Sequence, residues 1–342
     1  MKFGVLLFRG IFGVQLLDGG LPELLRLTKI AEELDYDSAW YADEAWWSPD
    51  PIVYATLMAR ETSKIKIGTM GTNPYVRHPL SLALSFHTFG EIAGERAIVG
   101  IAAGSEARLK KLGLARLHPR EAVRESIEIM RKLSNGRPLE YQGTTVKVTG
   151  VGKTWIKNDL KIHVCSNGPR MLELAGEIAD GVALAHFPPS YTSWGLDYVK
   201  KGLAKSQKSI SEFDYEVQPI VFVDEDRDKA FEIARKYLQF LPPPIALQKQ
   251  QLLEKCGFSP GEAATVRKAF LEAFASPKIE LPRDLADKIV RSFAITGTPE
   301  EAIAKIKDYE KSGISRIIVG FMPEQNIGER LRYFRERIID SL

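Results

Sequence analysis

The run Lys64-Ile-Lys-Ile-Gly-Thr-Met-Gly-Thr-Asn-Pro-Tyr-Val-Arg-His-Pro79 decides the fold. It opens as a buried strand over residues 65–69 and then gives way to the small and turn-forming residues Met70, Gly71, Thr72, Asn73 and Pro74. Pro79 stands where a first helical turn accepts it, because its missing N–H has no partner there. A strand ending in Gly, Thr and Asn before a helix offers amides and hydroxyls at its C-terminal edge, where α/β proteins bind ligands. Taken alone, the pattern fits a plain strand-to-helix turn equally well.

Outward from this run, short apolar segments alternate with longer amphipathic ones. Strands are predicted over 3–8, 38–42, 65–69, 97–103, 161–165, 181–185, 216–223 and 316–321. Between them lie helical stretches. In 21–34, for example, Leu24, Leu27, Ile30, Ala31 and Leu34 recur at helical spacing. Residues 97–103 form a nearly continuous apolar run of the kind buried on both faces of a parallel sheet. Eight strands alternating with helices predict a (β/α)8 TIM barrel, and 342 residues suit one such domain over 1–342. Two insertions interrupt the rhythm: a hairpin-like segment at about 138–158 and a helical excursion at about 241–292, which opens with Leu241-Pro-Pro-Pro244. The excursion is placed to cover the barrel mouth as a lid. An open doubly wound sheet is the alternative. The first junction, Arg9-Gly-Ile-Phe-Gly-Val-Gln15, weakens it by lacking a G-x-G-x-x-G fingerprint.

Composition narrows the function. With 44% hydrophobic and 27% charged residues and a net charge of +3, neither nucleic acid nor an anionic membrane is an expected partner. No segment approaches the roughly 20 apolar residues of a membrane span. The N-terminus lacks the apolar run and cleavage site of a signal peptide, so a cytoplasmic protein is expected. Cys165 and Cys256 belong to no C-x-x-C pair, and Cys165 reads as a buried small hydrophobe. The five histidines show no H-x-x-x-H spacing, and no metal site is expected.

Three segments carry a resemblance: Ile65–Pro79, Gly94–Gly104, and Ser166-Asn-Gly-Pro-Arg-Met-Leu-Glu-Leu-Ala-Gly-Glu-Ile-Ala-Asp-Gly181. Together they resemble the bacterial-luciferase-like superfamily, in its coenzyme F420-dependent branch, which includes methylenetetrahydromethanopterin reductase and F420-dependent dehydrogenases. The resemblance covers most of the chain and is weakest over 241–292. It implies a (β/α)8 barrel holding the deazaflavin F420 at its C-terminal mouth, with FMN as the alternative cofactor. It also implies a cis peptide at Met70-Gly71 bulging against the ring, where Gly71 has no side chain to collide with it. Thr72 and Asn73 would hydrogen-bond the ring's polar edge.

The resemblance places further residues. Asp43 aligns with a carboxylate that contacts the cofactor; an N-cap or surface acid is the plainer reading. Glu44 stands where F420-dependent sugar-phosphate and alcohol dehydrogenases carry a histidine base. A carboxylate there acts as a base when desolvation raises its pKa; otherwise it is a solvated acid. The methylenetetrahydromethanopterin reductases carry a glutamate in strand one, where this chain reads Gly4-Val-Leu-Leu-Phe-Arg9. Gly104, Ser105 and Glu106 end strand four, and the last two serve either as proton donor and hydrogen-bond partner or as the start of a helix. Ser166, Asn167, Gly168, Pro169 and Arg170 open a helix whose free amides suit the phosphate-bearing tail. His186 ends strand six and is a candidate contact for tail or substrate, whereas His78 reads as a structural turn residue. Trp40 reads as core, and Trp46 and Trp47 as walls of a cleft or as packing.

The leading expectation is an F420-dependent oxidoreductase acting on a small-molecule substrate, with Glu44 and Glu106 as catalytic candidates. An FMN-dependent monooxygenase and a non-catalytic cofactor-binding member are the alternatives. A homodimer through barrel helices is expected from the resemblance.

Overall fold

A computed structural model describes residues 1–7, 19–43, 48–134, 136–242, 247, 249–272, 279–322 and 326–342, together with the backbone of 10–11 and 14–15. The fold class is the (β/α)8 barrel predicted from the alternation of strands and helices. The chain divides into two compact units.

The larger unit holds residues 3–183 and 198–214. Its parallel strands are β1 (Lys2–Leu7), β2 (Ser38–Ala42), β3 (Lys66–Met70), β4 (Ala97–Ile101), β5 (Lys161–Cys165) and β6 (Gly181–Leu184), paired in that order. Every residue of β2 and β4 is buried, as expected of parallel strands covered on both faces. The helices pack as their spacing predicts: α1 (Gly20–Glu33) buries Leu24, Leu27, Ile30 and Ala31. Between strands lie α2 (Pro51–Glu61), α3 (Pro79–Ala93), the short α4 (Glu106–Lys111), α5 (Pro119–Leu133) and α6 (Pro169–Ile178). The predicted insertion near 138–158 is an antiparallel ribbon, Leu139–Gln142 with Lys147–Val151. Trp40 is fully buried, its indole N–H donating to Ser38 Oγ at 2.9 Å, so its assignment to the core holds.

The smaller unit holds residues 1–2, 184–197 and 215–342. Here one prediction needs correcting: 216–223 is not a single strand. β7 (Asp214–Val217) pairs with β10 (Arg316–Gly320), and β8 (Ile220–Val223) pairs with β9 (Ala294–Gly297) and, at Ile220, with Gly320 of β10. Pro219 separates them, and a residue without an N–H cannot continue a ladder. β9 follows the predicted helical excursion of about 241–292, in residues to which the sequence reading assigned no element. The excursion contains α7 (Gln250–Lys255), α8 (Pro260–Glu272) and α9 (Arg283–Phe293). Glu216 and Arg316, both fully buried, form an ion pair across β7 and β10. Among the described residues no helix is long and apolar enough to cross a membrane.

The ribbon is tied to α5 by one carboxylate. Glu125, buried on α5, accepts from Thr144 N at 2.6 Å, Thr145 N at 2.8 Å, Thr145 Oγ1 at 2.5 Å and Val146 N at 3.0 Å. Burial alone would raise its pKa, but these donors outweigh it and hold the carboxyl below the usual range. A depressed folded-state pKa gives stability that is present above the unfolded value of about 4.3 and lost as pH falls through the folded value. Glu125→Gln should therefore lower unfolding free energy at pH 7 by about 1–3 kcal/mol and flatten the acid limb of the stability profile. Urea denaturation between pH 3 and 7 checks this, and an unchanged midpoint at pH 7 would refute it.

Candidate active site

The site begins with the end of β3. Ala42 pairs with Met70, and Asp43 N donates to Met70 O at 2.8 Å, which sets Asp43 beside the end of the next strand. The Met70–Gly71 peptide is cis, where the resemblance implies one. The chain then returns to the sheet: Thr72 N donates to Gly100 O and Ala102 N to Thr72 O, both at 2.9 Å. A bridge thus joins Thr72 to Ile101 beyond the bulge. Below it, Thr69 Oγ1 accepts from Gly100 N at 3.0 Å.

Two features of this turn suit a ligand. A Cβ on Gly71 would lie 2.6 Å from Cys165 Cβ, 2.9 Å from its Sγ and 3.1 Å from Ala102 Cβ, so only glycine fits there without displacing its neighbours. Thr72 is fully buried, and its hydroxyl has no hydrogen-bond partner among the described residues. Buried hydroxyls are rarely left so. Cys165, backing Gly71, has its thiol pushed up to about 12 by burial, which leaves it an inert packing group.

Other predicted residues fall into distinct places. Asn73 Oδ1 accepts from Tyr75 N at 3.1 Å and Val76 N at 3.2 Å, so this oxygen shapes its own turn, and only its amide N–H groups remain for a ligand. Gly104 adopts φ +66°, a left-handed conformation favouring glycine, and packs against Asn73. Its carbonyl accepts from Arg116 Nη1 at 3.1 Å. Ser105 occupies the N-cap position of α4 without a capping side-chain bond, and Glu106 is 76% exposed, 3.4 Å from Arg116 Nη2. Glu44 lies outside the described residues, as do Trp46 and Trp47.

After β5, Ser166 N donates to Ala183 O at 3.1 Å. Gly168 is the N-cap of α6, Pro169 is its first helical residue, and no side chain caps this end. An uncapped helix N-terminus favours an anion. Asn167 is half-buried and Arg170 exposed. Glu177 and Asp180 are structural: Glu177 pairs with Arg124 at 2.8 Å, and Asp180 accepts from Ile162 N at 2.8 Å. His78 Nδ1 accepts from Leu80 N at 3.2 Å, capping α3, as expected.

His186 belongs to the smaller unit, where its Nδ1 lies 2.8 Å from Gln218 O. Burial lowers its pKa to about 4, only partly offset by that carbonyl, so the ring is neutral near pH 7.

Sequence reasoning missed Arg116 and Tyr75. Tyr75 OH donates to Leu117 O at 2.8 Å, so the loops after β3 and β4 are both fastened to residues 116–117. Tyr75 lies in the quoted run and Arg116 in no motif; the roles of both arise only where the loops meet.

The unpartnered hydroxyl, the glycine floor and the uncapped helix match a ligand with a polar edge, a flat face and an anionic group. Thr72→Val, which keeps the shape and deletes the hydroxyl, should leave the thermal midpoint of the ligand-free protein unchanged or higher, because no hydrogen bond is lost. It should also weaken ligand binding up to about tenfold. Gly71→Ala should destabilise the ligand-free protein by about 1–3 kcal/mol. Calorimetric melting and ligand titration of both variants check this; a lowered Thr72→Val midpoint would contradict the first expectation.

Comparison with known proteins places this geometry. A family model described as luciferase-like monooxygenase matches residues 1–316. The 5,10-methylenetetrahydromethanopterin reductase of Archaeoglobus fulgidus is 31% identical over 311 residues, covering 90% of this chain and 92% of that relative. An F420-dependent glucose-6-phosphate dehydrogenase of Amycolatopsis mediterranei is 24% identical over 315 residues, covering 87% of this chain and 88% of the relative. The solved coenzyme F420-dependent tetrahydromethanopterin reductase of Methanopyrus kandleri superposes with a TM-score of 0.84 at 27% identity, covering 99% of each chain. The chain belongs to the luciferase-like monooxygenase family.

Proposed function

We propose that this protein is a coenzyme F420-dependent oxidoreductase that transfers hydride between the deazaflavin C5 and a small organic substrate. The observation that carries the reading is the unpartnered Thr72 hydroxyl beside Gly71 at the end of β3, in a chain whose similar relatives use F420.

The deazaflavin supplies the hydride chemistry when bound. The chain's own groups bind and orient it. Gly71, backed by Cys165, leaves room for a flat ring. The Thr72 hydroxyl and the Asn73 amide supply hydrogen bonds to its polar edge, and Asp43 stands beside Met70 as a further contact. The uncapped start of α6 at Gly168 and Pro169, with Ser166, Asn167 and Arg170, takes the phosphate-bearing tail. Proton handling falls to Glu44 and Glu106, with Ser105 as a hydrogen-bond partner. Strand β1 supplies no acid, since Phe3, Val5, Leu6 and Leu7 are buried and apolar. This separates the chain from the reductase pattern in which strand one carries a glutamate.

The protein further reads as a cytoplasmic homodimer. The outer face of α3 supports the dimer: Leu84 is 43% and Ile92 40% exposed, and Val53 of α2 is 54% exposed. Glu91 is the one charged residue in α3, and an exposed apolar helix face favours a covering partner.

Titration with F420 and, separately, with FMN tests the cofactor. Micromolar or tighter F420 binding with weak FMN binding is expected. Preference for FMN would replace this reading with an oxygen-dependent one, and binding of neither would overturn the site. Turnover assays with methylenetetrahydromethanopterin, secondary alcohols and glucose 6-phosphate then divide the substrate classes. Leu84→Glu should shift the sedimentation coefficient from dimer to monomer; wild-type protein sedimenting as a monomer would refute the dimer.

A further inference from the structure

Residues 105–118, between β4 and α5, fold back on the strand end they leave. Gly113, at φ +73°, reverses the chain after α4: its N–H donates to Lys110 O at 3.0 Å, and Leu114 N donates to Leu109 O at 2.9 Å. This glycine-terminated helix end returns Arg116 to Gly104. Arg116 Nη1 donates to Gly104 O at 3.1 Å, and Nη2 stands 3.4 Å from Glu106 Oε2. The neighbouring Leu117 takes the other loop, its carbonyl accepting from Tyr75 OH at 2.8 Å. Burial raises the Tyr75 pKa above its ordinary value, partly offset by Arg116, so the hydroxyl stays a donor at neutral pH. The two loops also touch directly. A Cβ on Gly104 would lie 3.3 Å from Asn73 Cβ and Cγ and 3.2 Å from Cδ1 of the buried Leu109. Asn73 is thus held by its own turn, by Gly104 and, through Tyr75, by Leu117.

We propose that Arg116 and Tyr75 are positioning residues of the cofactor site: together they clasp the loops after β3 and β4 so that the Asn73 amide meets the polar edge of the deazaflavin. The inference rests on the F420 reading above. Neither side chain needs to touch the ligand. Each acts through a main-chain carbonyl, Arg116 on Gly104 and Tyr75 on Leu117. The exposed pair between Arg116 and Glu106 contributes little by itself, so the Gly104 bond is the part of Arg116 that matters. A side chain carried on loops is precise only when the loops are fixed, and a displacement of about 1 Å is enough to lose a hydrogen bond.

Fluorescence titration with F420, well below each thermal midpoint, tests this in Tyr75→Phe, Arg116→Gln and Arg116→Lys. Tyr75→Phe and Arg116→Gln should each weaken F420 binding about three- to tenfold. Arg116→Lys keeps the charge but not the fork, and should fall between Arg116→Gln and wild type. A double-mutant cycle with Asn73→Asp separates positioning from stability, because an aspartate keeps the oxygen that shapes the turn and removes the amide donors. Asn73→Asp alone should weaken F420 binding, and adding Tyr75→Phe or Arg116→Gln to it should weaken binding no further. Clasp variants that only lower the thermal midpoint and bind F420 as wild type does overturn the proposal. So do losses that add fully to that of Asn73→Asp, and an Asn73→Asp variant that binds F420 like wild type. Each of these leaves the F420 reading standing, whereas wild-type protein that binds no F420 overturns that reading and this inference with it.

Discussion

The candidate site depends on the ladder between β3 and β4. If Thr72 did not return to pair with Gly100 and Ala102, the residues after Met70 would form an ordinary loop. Because it does return, Gly71 is held between two paired segments and pressed against Cys165 and Ala102. A loop residue is thereby given the precision of a strand residue. Parallel sheets hold their C-terminal edges in this way, and the fold class places its ligands there.

The polar groups divide by purpose. Glu125 has four donors on its carboxylate, and the buried Glu216 is paired with Arg316. Removing one partner of such a buried pair costs about 3–5 kcal/mol, because the other charge is left alone. Thr72 is different: its hydroxyl is buried without a partner, an arrangement that costs about 1–3 kcal/mol. A ligand donor or acceptor offsets that cost on binding. The Ser48, Thr154 and Thr296 hydroxyls are left bare in the same way among the described residues; what sets Thr72 apart is its place beside Gly71 at the end of β3.

In the smaller unit a single proline reshapes the sheet. Pro219 ends β7, frees β8 to pair with β9, and leaves a carbonyl next to it for His186. The same interruption that breaks one strand fixes which nitrogen of the imidazole is protonated.

The sequence by itself determined the barrel class, because alternating apolar runs and helical spacings are local properties. It also determined the position of the glycine turn at Met70–Asn73, since Gly, Thr and Asn after an apolar strand state their conformational demands in order. The roles of Trp40, Cys165 and His78 were legible for the same reason. Only the tertiary structure decided that Asn73 directs its oxygen into its own turn, that Glu106 stands in solvent, and that Arg116 and Tyr75 fasten two loops. It alone split 216–223 into two strands and found β9 where no strand was expected. The physical reason is sequence distance. Gly71 meets Cys165, and His186 meets Gln218, across separations that no local pattern encodes; the partner of a side chain exists only once the strands carrying both have paired.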